Sequence, residues 1–141
     1  ATDALNAVID AQNAAIFTYG VSTAFIGSAD RGTVADFIAA HRVRRDAFNA
    51  DLTAAGAPER PAATGYTLPV EVTGPESAAA ALLAAEEDCT RALYALLEQA
   101  DTPEVRRQAV DALVECGVRA AHWRAVLGQS PVTVAFPGRP E

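Results

Sequence analysis

The stretch GAPERPAATGYTLPVEVTGPE, residues 56–76, decides the fold because it is a proline-punctuated link set between segments that read as helices on both sides. Gly56 and Pro58 stop the preceding segment, while Thr73-Gly74-Pro75-Glu76 opens the next one with a cap, a preset φ and an acid at the positive dipole end. A link this long can travel the full length of a helical bundle and start the third helix at the end opposite to that of a simple meander. Tyr66, Leu68 and Val70 are the apolar residues expected to hold it down.

Outward from the link, apolar residues recur at steps of three and four. Leu5, Val8, Gln12, Ile16, Tyr19, Thr23 and Ile26 predict a first helix from about Asp3 to Phe25, ended by Gly27. Val34, Ile38, His41, Arg45, Phe48 and Leu52 predict a second, starting at a Thr33/Asp36 capping pair. The third carries Ala79, Leu82, Leu83, Glu86, Cys89, Thr90, Leu93 and Leu97. The fourth opens at Thr102-Pro103-Glu104 and runs through Ala109, Leu113, Cys116, Ala120, Trp123 and Leu127 to Gly128. Short turns make helices one and two, and three and four, antiparallel hairpins. The expectation is an all-α four-helix bundle, a single domain over residues 1–141, with a long crossover between helices two and three. Residues 130–138 are apolar enough to pack back on the helices.

Composition narrows the function classes. Half of the 141 residues are apolar, enough for one core, and the charge of −7 with eleven arginines and no lysine argues against nucleic-acid or anionic-membrane partners. Arg42, Arg44 and Arg45 form the densest basic cluster, but Asp46 and Asp51 offer intrahelical partners, so it reads as a salt-bridged face. No secretory leader or membrane-spanning run stands out, which points to the cytoplasm. Cys89 and Cys116 are too few for a secreted disulfide framework and read as reduced core residues. Antiparallel packing still places them within about a turn of each other in height, near enough for a disulfide.

Polar residues on these stripes carry the functional question. Carboxylate-bridged metal pairs in bundles take a Glu from each of two helices and a Glu-x-x-His from each of the others. Here Ile38-x-x-His41 and Arg119-x-x-His122 keep the histidines without the glutamates, and Gln12 is neutral where an acid would serve. Only Glu86, or Glu87 beside it, stays acidic nearby. An arginine in that shell repels the cation. Gln12, His41, Arg45, Glu86, Arg119 and His122 are therefore expected to form a polar core network, with Glu86 level with Arg119 and able to pair with it. The short first turn puts His41 nearer in height to Tyr19 than to Gln12, and the Tyr19 and Tyr94 hydroxyls are expected to join as core aromatics.

The ordered motifs Ala11–Gly20 (AQNAAIFTYG), His41–Asp46 (HRVRRD), Gly65–Pro69 (GYTLP), Trp123-Arg124 and Phe136-Pro137-Gly138 resemble the actinobacterial ferritin-like family catalogued as a domain of unknown function, DUF4439. That resemblance spans nearly the whole chain and implies a ferritin-like four-helix bundle with a long crossover. It brings no assigned reaction, and shared architecture does not carry one. The resulting expectation is a non-catalytic bundle with a degenerate di-iron site and no resident cofactor, acting as a self-associating scaffold, a homodimer through its alanine-rich helix faces. The alternative is a metal-binding protein or metal-dependent oxidoreductase holding one iron, manganese or zinc ion on His41, Glu86 and His122. A third reading places an unidentified small ligand near Tyr19, Trp123 and the crossover.

Overall fold

The computed structural model describes residues 2–68 and 70–140, so Pro69 of the Gly65–Pro69 motif lies outside the described residues. Among the described residues four helices account for the core: α1 (Thr2–Ser22), α2 (Arg31–Ala54), α3 (Pro75–Gln99) and α4 (Pro103–Val126), with a 3₁₀ turn at Ser28–Asp30. No strand occurs among the described residues, and no helix among them is long and apolar enough to cross a membrane.

Local chemistry fixes most boundaries. The Thr102 hydroxyl accepts from the Val105 amide at 3.2 Å and Pro103 follows at the first helical position, so α4 begins where its cap dictates. Gly74 precedes α3, and the Ser77 hydroxyl reaches back to accept from the Thr73 and Gly74 amides at 2.8 and 3.1 Å. Two expectations need correction. The first helix ends at Ser22 rather than Phe25. The second begins at Arg31, not at a Thr33 cap, because the Ser28–Asp30 turn runs straight into it, and no side chain caps it.

Two apolar clusters set the helix directions. One gathers Leu5 and Val8 from the start of α1, Phe48 and Leu52 from the end of α2, Leu93 and Leu96 from the end of α3, and Ala109 from the start of α4. The other takes Tyr19 and Ile26, Val34, Ala79 and Leu82, and Trp123 from the opposite ends. Hence α1 is antiparallel to α2 and α3, α4 is antiparallel to α3, and α2 and α3 are parallel. Residues 55–74 therefore return the chain from the first cluster, where Ala57 packs, to the second, where Val72 packs.

Specific contacts fasten this link. Arg60 forms a two-pronged ion pair with Asp10 at 2.9 and 2.8 Å, and its amide donates to Asn49 Oδ1 at 2.9 Å. The Tyr66 ring lies 5.7 Å from that of Phe17, and Leu68 and Val70 are half-buried. Beyond α4 the tail packs on the seam between α3 and α4. The Arg124 guanidinium donates to the Val132 carbonyl at 3.0 Å, and Pro137 sits on Gly117, where an added Cβ would meet it at 3.3 Å. Gly138 has φ +77° and lies so close to Thr90 that a Cβ would fall 2.0 Å from its carbonyl oxygen, so only glycine fits.

Candidate functional site

Between the two apolar clusters lies a layer of buried polar side chains contributed by all four helices. Gln12, Tyr19, His41, Glu86 and Trp123 are fully buried and Arg119 nearly so. Glu86, near the middle of α3, is the centre. Its Oε2 accepts from the Tyr19 hydroxyl at 2.6 Å and lies 2.7 Å from His41 Nε2, while its Oε1 accepts from Arg119 Nε at 3.1 Å. Three donors from three helices thus converge on one carboxylate.

The network continues outward from each donor. His41 Nδ1 is 2.5 Å from Gln12 Oε1, so both ring nitrogens face oxygen acceptors. With the Gln12 carbonyl in this orientation the imidazole donates from both nitrogens, and turning the carboxamide over would suit a neutral ring instead. Tyr19 accepts from Trp123 Nε1 at 2.8 Å while donating to Glu86. Arg119 Nη2 donates to Cys116 Sγ at 3.1 Å, and its guanidinium lies 5.9 Å from the centre of the Phe37 ring.

The electrostatics follow from this geometry. Burial alone would push the Glu86 carboxyl upward, but the charge and hydrogen bond of His41, then Arg119 and the Tyr19 hydroxyl, outweigh it and hold the group below its ordinary range. Burial, together with the neighbouring Glu86 charge, drives the Tyr19 hydroxyl well above its usual value, so it stays a donor. Desolvation works against the Arg119 charge, yet Glu86 and Cys116 more than compensate and the guanidinium binds its proton more tightly than usual.

The expected site members divide. Gln12, His41, Glu86 and Arg119 come together. Arg45 does not: it is half-buried, 3.0 Å from Asp46 and 3.4 Å from Asn13. His122 does not reach Glu86 either, because its Nε2 pairs with Asp30 at 3.1 Å while its ring packs edge-on against Trp123 with centroids 4.7 Å apart. His41 meets Gln12 as well as Tyr19: its Nδ1 lies 2.5 Å from Gln12 Oε1 and its ring centroid 5.6 Å from that of Tyr19. Arg44 pairs across the bundle with Glu115 rather than within its own helix, and Asp51 accepts from Gln108 of α4 at 3.2 Å.

Trp123 and Cys116 join the network although neither was singled out for it. A buried indole N–H requires an acceptor, and Cys116 stands three residues before Arg119 on the same helical face, so both signals were present in the spacing. Of these groups only Glu86 offers an anionic oxygen, and its lone pairs are taken by cationic and hydroxyl donors. Among the described residues no group of three or more His, Cys, Asp or Glu side chains is placed to hold a metal ion. The residues do not fit a di-iron centre, since a guanidinium occupies the side of Glu86 that a dication would need. Near Trp123, where room for a small ligand was expected, the Tyr19 hydroxyl and the indole N–H are paired with each other at 2.8 Å.

The family profile of the domain of unknown function DUF4439 matches residues 4–141. The chain belongs to this family. Its fold is similar to the crystal structure of a conserved hypothetical protein, rv2844, from Mycobacterium tuberculosis, with TM-score 0.87 and 37% identity over 96% of this chain and 95% of that one. No curated protein matches the sequence. Membership in DUF4439 therefore agrees with the helical architecture and assigns no chemistry.

Proposed function

We propose that this DUF4439 protein is a ferritin-like four-helix bundle with a long crossover, in which a polar network stands where related architectures hold metal, and that it serves as a non-catalytic, self-associating scaffold in the cytoplasm. The observation that carries the reading is the Arg119 guanidinium seated 3.1 Å from the central carboxylate of Glu86. A cation fixed there supplies the charge balance a metal ion would otherwise supply, and it leaves no open coordination position. The parallel run of α2 and α3 around residues 55–74 supports the ferritin-like topology.

The surface where α2 and α4 meet supports the association. These helices touch more sparingly than the other adjacent pairs, and Phe37, Ala40, Val43, Val114 and Val118 line the groove between them. Val43, Val114 and Val118 are 66, 60 and 64% exposed. Two helices of 24 residues present a face on the order of 36 by 20 Å, close to the ~800 Å² per partner of a standard interface. A second copy covers that face in the proposed homodimer.

Elemental analysis of protein produced with iron, manganese and zinc, combined with light scattering on size-exclusion fractions, tests both halves. Folded protein with far less than one metal per chain, dimeric as wild type and monomeric as Val118→Glu, is the expected result. Near-stoichiometric metal would overturn the non-catalytic reading in favour of the metal-dependent alternative, and a strict monomer at high concentration would overturn the association.

A further inference from the structure

Cys89 of α3 and Cys116 of α4 are both free and fully buried, and they are neighbours in the apolar cluster between the two helices. Their surroundings differ. Cys89 Sγ donates to the Ala11 carbonyl at 3.4 Å, whereas Cys116 Sγ accepts from Arg119 Nη2 at 3.1 Å. Contact with Cys116, followed by burial, pushes the Cys89 thiol well above its ordinary range. A guanidinium donating to one sulfur and a carbonyl accepting from the other is the asymmetry of an attacking and a resolving thiol.

We propose that Cys89 and Cys116 form a peroxide-reactive dithiol that closes to a disulfide between α3 and α4, with Cys116 as the attacking sulfur and Arg119 as its positioning residue. The Cys116 sulfur attacks one oxygen of a hydroperoxide. An S–O bond forms, the O–O bond breaks, the sulfur loses two electrons, and the departing oxygen leaves as water, or as an alcohol from an alkyl peroxide, after taking the thiol proton. Cys89 sulfur then displaces the hydroxyl of the sulfenic acid, an S–S bond forms, and the Cys89 proton leaves with that hydroxyl as a second water. Full burial selects the oxidant by size: hydrogen peroxide is small and neutral enough to enter by local opening, while bulky disulfides are excluded. Because Arg119 touches both Cys116 and Glu86, the redox state of the pair is felt by the polar network and by Trp123 at its end.

The folded protein is exposed to hydrogen peroxide, unfolded in an alkylating agent, and read by intact mass and non-reducing peptide mapping. Loss of two hydrogens, no alkylated thiol and a Cys89–Cys116 cross-linked peptide are expected, reversed by dithiothreitol, together with a rise of a few degrees in melting temperature. In Cys89→Ser, a sulfenic-acid trap present as the protein is unfolded should label Cys116. In Cys116→Ser, Cys89 should oxidise at least tenfold more slowly than the wild-type pair. Arg119→Lys, which keeps the charge but not the fork, should slow closure while thiol count and fold stay unchanged; if this variant does not fold, the two cysteine variants still decide the matter. Two fully alkylated thiols after peroxide, cross-links only between chains, or equal reactivity of the two single-cysteine variants would each overturn the proposal.

Discussion

At the scale of single residues, Glu86 and Arg119 are bound to each other by what removal of either would leave behind. Arg119→Met leaves the buried Glu86 carboxylate with only His41 and Tyr19 beside it, and breaking a buried ion pair by removing one partner costs about 3–5 kcal/mol. The double variant Glu86→Leu/Arg119→Met removes both charges and should recover a large part of that loss. Urea unfolding of the two single variants and the double gives the coupling directly. A double variant that loses as much as the two single losses together, or more, would show that the pair is not a unit. Glu86 also sets an acid limb. Its folded-state affinity for a proton is lowered from the ordinary value of 4.5, so the stability it contributes is full above that value and is lost as pH falls through the lower folded one. Glu86→Gln should flatten the dependence of the urea midpoint on pH below about 4.5 relative to wild type, a window set by the same shift.

At the scale of elements, caps and close approaches can be tested one at a time. Thr102→Ala removes the acceptor for the Val105 amide and should lower stability by about 1 kcal/mol, measured by thermal unfolding. Gly138→Ala cannot keep both its positive φ and its contact with Thr90. The tail should lift from the α3–α4 seam in that variant, seen as faster amide exchange and protease cleavage after Ser130 with the four helices unchanged. The same contrast explains which parts of the fold were legible in the sequence. The starts of α3 and α4 were readable because a threonine or glycine followed by proline is a purely local instruction. The start of α2 was not, because Ser28–Asp30 wind into a 3₁₀ turn that feeds the helix two residues ahead of Thr33, and no side-chain chemistry announces such a turn.

At the scale of the whole molecule, the site was legible only where two helices fix each other's height. The short turn between α3 and α4 makes the register unambiguous, so Glu86 opposite Arg119 could be read from numbering alone. Which face of a helix a polar residue takes was harder. Arg45 and His122 share the spacing of the network residues, but each finds a carboxylate partner near the surface, and a long or amphipathic side chain goes where its charge is best solvated. The proposed dimer belongs to this scale as well. Val114→Glu in addition to Val118→Glu places charge along the α2–α4 groove and should give a monomer with unchanged helix content by circular dichroism.

Because α2 and α3 point the same way, the tether formed by residues 55–74 has a minimum length. It must climb past a helix of 25 residues, about 37 Å, which an extended chain covers with roughly eleven residues. Trimming therefore has a threshold. Deletions that leave more than this only draw in slack, whereas shorter tethers forbid α3 and α4 from reaching their own α1 and α2. Two such chains could satisfy every buried partner only by exchanging hairpins, so a sufficiently shortened tether should convert the protein into an interlocked pair.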